Sequence, residues 1–121
     1  MFYLFLFNIC TNIDNLKNDD YVLVELGILN SCFNYKVRDS LFRKRELLIL
    51  FSKLESIKFK NGKFNTNMNF INPTLKFNFW SDSTSYLDIE FSCNSGCDYY
   101  SISLNLEDIV NLYDVLKRQI I

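Results

Sequence analysis

From Phe64 to Leu104 the chain alternates apolar and polar residues in four short runs, and this alternation constrains the fold more than any other feature. Phe64, Thr66, Met68 and Phe70 alternate with Asn65, Asn67 and Asn69. Leu75, Phe77 and Phe79 alternate with Lys76, Asn78 and Trp80. Leu87, Ile89 and Phe91 alternate with Asp88 and Glu90, and Tyr100, Ile102 and Leu104 with Ser101 and Ser103. A period of two sends each set to one face of a strand, so the sheet these runs build has one apolar and one polar face. Asn72-Pro73, Ser81 to Ser85 and Asn94-Ser95-Gly96 separate the runs. Proline cannot donate to a ladder, and connections this short suit hairpins. The expectation is a four-strand antiparallel meander.

An apolar sheet face needs a cover, and two segments have the right period. In Arg43 to Ile57, Leu47, Leu50, Phe51, Leu54 and Ile57 recur at the three-and-four spacing of one helix face. Such a stripe is stable only against a partner surface. Asp39 or Ser40 is the expected cap. Arg43, Lys44 and Arg45 lie near the helix start, the unfavourable end for positive charge; a solvated face is the favoured reading, and a cluster that serves a partner is the alternative. Asn105 to Ile121 is the second helix. Asn105 is its cap, Glu107 and Asp108 lie in its first turn, Ile109, Leu112, Tyr113, Leu116 and Ile120 form its stripe, and Lys117 and Arg118 lie in its last turn.

Three further strands are expected before the first helix: Phe2 to Cys10, Tyr21 to Leu29 and Cys32 to Val37. The polar stretch Thr11 to Asp20 reads as a loop. Gly27 interrupts the second strand's pattern and marks a candidate bulge. Asn61-Gly62 suits a tight type I′ turn. The whole is read as one α+β domain over residues 1–121, in the order βββαββββα. The expected architecture is a single antiparallel sheet of about six to seven strands with two amphipathic helices packed on one face.

Composition narrows the function classes. With 49% apolar and 22% charged residues, the chain is no disordered segment. A net charge of −1 argues against general nucleic-acid binding, which needs a basic face. The four cysteines, Cys10, Cys32, Cys93 and Cys97, include one C-x3-C pair and no histidine accompanies them, so neither a zinc site nor a disulfide framework is expected. The apolar run Phe2 to Phe7 is too short for a membrane span and lacks a basic leader, which leaves the cytoplasm as the expected compartment.

Catalytic machinery is not apparent. Without histidine the commonest general base is missing, and three glycines build no phosphate cradle. Asp88 and Glu90 project from one strand face about 7 Å apart, but carboxylates on an open sheet face are solvated. No enzyme activity, cofactor or metal is expected. The polar sheet face is the better candidate, as a binding surface. Trp80 breaks its polar pattern, and tryptophan is enriched at interface hot spots; a strand-end tryptophan folded over the core rim is the competing reading. Cys97, Asp98, Tyr99 and Tyr100 add an acidic and aromatic turn.

The order of elements resembles the WapI-type family of bacterial immunity proteins, which neutralise polymorphic or contact-dependent toxins. The resemblance runs through DDYVLVELGIL, VRDSLFRKRELLILFSKLESI, TLKFNFW, SYLDIEF and SLNLEDIVNLYDVLKRQI, and so spans nearly the whole chain. It departs at Tyr21, where family members often carry tryptophan, and before Ser85-Tyr86, where they often carry glycine. The resemblance implies a cytoplasmic protein that binds a cognate toxin domain, often a nuclease, and blocks its active site. No partner-binding residue is carried over, because such surfaces are specific to each toxin. A nuclease cleft is basic, and Asp82, Asp88, Glu90 and Asp98 would then form the complementary acidic edge, with Trp80 and Tyr99 beside it. Two other classes stay open: an assembly protein that pairs with itself along the edge strand Phe2 to Phe7, and a small-ligand binder with a pocket between sheet and helices.

Overall fold

The computed structural model describes residues 4–29, 31, 34–59, 64–70, 75–81, 84–93 and 98–120. Strands β1 (Leu4–Ile9), β2 (Tyr21–Leu29) and β3 (Asn34–Arg43) are followed by helix α1 (Lys44–Lys58), then β4 (Phe64–Phe70), β5 (Leu75–Ser81), β6 (Ser85–Cys93), β7 (Asp98–Leu104) and helix α2 (Leu106–Ile120). The βββαββββα order is as expected. The stretches Asn61-Gly62, Asn72-Pro73 and Asn94-Ser95-Gly96, with Cys32 and Cys97, lie outside the described residues.

The single sheet is not formed. Two antiparallel sheets stand in its place, one ordered β1-β2-β3 and one ordered β4-β5-β6-β7. Each is a meander whose strands pair with their sequence neighbours, and α1 intervenes between the third strand and the fourth. The outer strand β3 carries Lys36, Arg38 and Asp39, all exposed, and charge of this kind deters a further strand from adding there. What joins the sheets is the core. Val22, Val24, Leu26 and Ile28 of β2, Phe77 and Phe79 of β5, Leu87 and Ile89 of β6, and the helix stripes are buried in one cluster. Helix α2 packs on β1 of the first sheet and on β6 and β7 of the second, while α1 packs on α2 and β3.

Local chemistry departs from expectation at three points. The bulge lies between Val22 and Leu23, where β2 pairs out of step with β3, and not at Gly27, which pairs regularly with Leu6 and Lys36. Gly27 answers to a close approach instead: a Cβ there would lie 3.1 Å from the Leu6 Cβ. The expected loop Thr11 to Asp20 contains a 3-10 turn, Ile13–Asn15, which buries Ile13 and in which Asn12 Oδ1 accepts from the Asp14 amide.

The start of α1 is the third. Asp39 and Ser40 do not cap it, because β3 runs on to Arg43, which pairs with Tyr21. Arg43 occupies the cap position, and Glu46 Oε1 accepts from its amide at 2.9 Å. The amides of Lys44 and Arg45 donate to the carbonyls of Asp20 and Asn18. Arg45 is exposed, as expected of a solvated cluster, and pairs with a likewise exposed Asp19 at 3.4 Å; Arg43 and Lys44 are half-buried, the Lys44 ammonium donating to the Leu16 carbonyl and Arg43 lying over the Tyr21 ring. Neighbouring carbonyls and one carboxylate offset the unfavourable helix dipole.

Leu47, Leu50, Leu54 and Ile57 are fully buried, and Phe51 is half-buried, stacked on Tyr113 of α2 with ring centroids 5.1 Å apart. Tyr113 is itself buried; its hydroxyl donates to Glu55 Oε2 at 3.0 Å, and Lys58 lies over its ring while pairing with Asp114. Burial, then the bond to Glu55, raises the phenol above its ordinary range.

Asn105 caps α2 as expected, its Oδ1 accepting from the Asp108 amide at 2.9 Å. Asp108 is only 5% exposed, and burial raises its carboxyl above the usual aspartate range, against the lowering effect of a backbone hydrogen bond at Asn105. The folded chain thus holds this proton more tightly than the unfolded chain. Its contribution to stability is complete below the ordinary aspartate pKa of about 3.9 and is lost as pH rises through the raised folded value. Asp108→Asn, measured by denaturant titration across the acid range, is expected to remove this downward slope and to leave the variant more stable than wild type at neutral pH.

Candidate functional site

The outward face of the four-stranded sheet is built from the residues that alternate with the core. Phe77 and Phe79 of β5 are buried, so Lys76, Asn78 and Trp80 face away from them. On β6, Leu87 and Ile89 are buried and Tyr86, Asp88 and Glu90 take the other face; on β7, Ile102 and Leu104 are buried and Ser101 and Ser103 are exposed. Register turns these into cross-strand rows. Lys76, Glu90 and Ser101 form one, Asn78, Asp88 and Ser103 the next, and Trp80 lies opposite Tyr86. Beyond β5, Asn69, Asn67 and Asn65 of β4 register with Lys76, Asn78 and Trp80.

Trp80 does not fold over the core rim. Its ring stacks on that of Tyr86, with centroids 6.1 Å apart and planes 14° from parallel. The pair presents a rigid aromatic surface on a polar sheet, with Trp80 half-buried and Tyr86 37% exposed. Asp88 and Glu90 are half-buried in the two adjoining rows, and Lys76 faces Glu90 directly. Two carboxylates against one ammonium leave this part of the face acidic, and the opposed Lys76 and Glu90 support the register by about 0.2–1 kcal/mol.

Of the six expected partner-binding residues, the structure thus brings Trp80, Asp88 and Glu90 together on one face. Asp82 lies outside the described residues. Asp98 and Tyr99 belong to β7, paired with Cys93 and Ser92, and their side chains lie outside the described set. Tyr86 was missed. Its signal was parity, since it shares the period of Asp88 and Glu90, but only the register of the Ser81–Ser85 hairpin sets it against Trp80.

A concavity of about 360 Å³ lies at the rim where the β1–β2 connection meets the end of α2, lined by Cys10, Asn12, Asp14 and Gln119 among others. It is not the expected pocket between sheet and helices. Among the described residues no group of three or more cysteine and carboxylate side chains is placed to hold a metal ion. No described helix is long and apolar enough to cross a membrane. No protein-family model matches the chain, and no curated protein or solved structure does either.

Proposed function

We propose that this chain is an immunity protein that binds a cognate bacterial toxin domain and blocks its active site, meeting it with the outward face of the four-stranded sheet. The observation that carries the reading is the Trp80–Tyr86 stack held beside Asp88 and Glu90. An aromatic anchor next to charge that steers the encounter is the composition of a protein-binding hot spot. The strand scaffold fixes these side chains before binding, which lowers the ordering cost of association. The element order resembling the WapI-type family supplies the partner class. The acidic balance favours a toxin with a basic cleft, such as a nuclease acting in the cytoplasm. The chain itself acts by occlusion, with no cofactor or metal and without handling nucleic acid.

Self-assembly through β1 is the weaker reading, because Gln119 of the same chain already occupies part of that strand's outer edge. The test in cells is co-expression with a candidate toxin domain from a neighbouring reading frame. Growth is expected to be restored by this chain and not by an unrelated protein of similar charge; killing undiminished by its expression overturns the reading.

A further inference from the structure

Strand β1 is an outer strand of the first sheet, and its sequence, LFLFNI, contains neither charge nor proline. Such an edge invites another strand to add. The opposite outer strand, β3, carries exposed Lys36, Arg38 and Asp39, so the two edges of one sheet are treated differently.

What β1 has instead is Gln119, in the last turn of α2. The Ile9 amide donates to Gln119 Oε1 at 2.6 Å, and Gln119 Nε2 donates to the Phe7 carbonyl. A further bond from Nε2 to the Val115 carbonyl, 3.2 Å long, orients the carboxamide within its own helix. A carbonyl on one residue and an amide two residues on are the pair that a parallel neighbouring strand would engage. The side chain therefore stands in for one residue of an added strand, and does so from a helix, which cannot propagate the ladder.

We propose that Gln119 is an edge guard: it keeps β1 from pairing with the β1 of a second copy of this chain. Two copies of this edge would pair antiparallel about a two-fold axis, and such a ladder draws on the same Phe7 carbonyl and Ile9 amide, each through a different residue of the added strand, so a second copy is the natural occupant once the guard is removed. This is independent of the proposed toxin-binding face, which lies on the other sheet.

The test is the solution mass of full-length variants by light scattering over rising concentration. Wild type is expected to keep the mass of one chain. Gln119→Ala is expected to double its mass as concentration rises. Adding Asn8→Lys, at an exposed β1 position whose partner across β2 is Glu25, is expected to return Gln119→Ala to a single chain by placing charge on the strand. A Gln119→Ala protein that stays single at every concentration overturns the proposal, as does a double variant that still dimerises. If Gln119→Ala does not fold, amide exchange in wild type decides: an Ile9 amide protected as strongly as the Cys10 amide, which donates to the Leu23 carbonyl, supports the guard, and one exchanging like an open edge overturns it.

Discussion

Phe42→Ala is expected to lower stability by about 3–5 kcal/mol, the range for emptying a buried phenylalanine site. Phe42 is fully buried, pairs with Val22 and stacks on Phe7 with ring centroids 6.0 Å apart. Typical domains hold only about 5–15 kcal/mol in reserve, so the loss is a large share of the total. For a chain of this length it corresponds to a fall of roughly 10–20 °C in Tm. The location of the effect is as informative as its size. Phe42 belongs to the three-stranded sheet, whereas the chain's single tryptophan, Trp80, reports on the four-stranded sheet. One core runs through both sheets and both helices, so the Trp80 fluorescence transition is expected to shift as far as the far-ultraviolet dichroism transition. A fluorescence midpoint that stays in place while the dichroism midpoint moves would show that the sheets unfold separately.

The second large effect is on binding. Under the proposed function, truncating Trp80, Asp88 and Glu90 to alanine together is expected to weaken binding of the toxin domain by about 100-fold or more, since one hot-spot residue alone accounts for about 2 kcal/mol and 1.4 kcal/mol is tenfold. Removing the two carboxylates should also slow association and flatten its dependence on salt, while loss of the aromatic anchor should speed dissociation. All three side chains lie on the face opposite the core, so stability should change far less than in Phe42→Ala. Surface-bound kinetics at two ionic strengths, beside a melting curve, separates these effects. Equal losses in binding and in Tm would instead assign the three residues a structural role.

Much of this was legible in the residues. Period-two alternation located β4 to β7 and assigned Phe77, Phe79, Leu87 and Ile89 to the buried face, because a strand leaves a side chain no other way to turn. The three-and-four spacing found both helices, and the cap at Asn105 followed from its amide-accepting side chain and the acidic turn after it. Division into two sheets was not legible, since periodicity fixes which face a residue takes and says nothing about which strands become neighbours. Nor was the start of α1: its free amides are satisfied by the carbonyls of Asn18 and Asp20, which lie more than twenty residues earlier. Gly27 suggested a bulge, but its actual constraint is the proximity of Leu6 on another strand. Within the site, Trp80, Asp88 and Glu90 were found as breaks in or members of the polar pattern, whereas the Trp80–Tyr86 stack needed the hairpin register to appear.

Calorimetric titration of a candidate toxin domain from a neighbouring reading frame, first with wild type and then with the folded Trp80→Ala/Asp88→Ala/Glu90→Ala variant, tests the proposed function most directly. Wild type is expected to saturate at one chain per toxin domain, with a Kd in the nanomolar range (roughly −12 kcal/mol), and the variant to bind at least about 100-fold more weakly. A variant isotherm that superimposes on that of wild type, or no heat from wild type at any temperature, would contradict it.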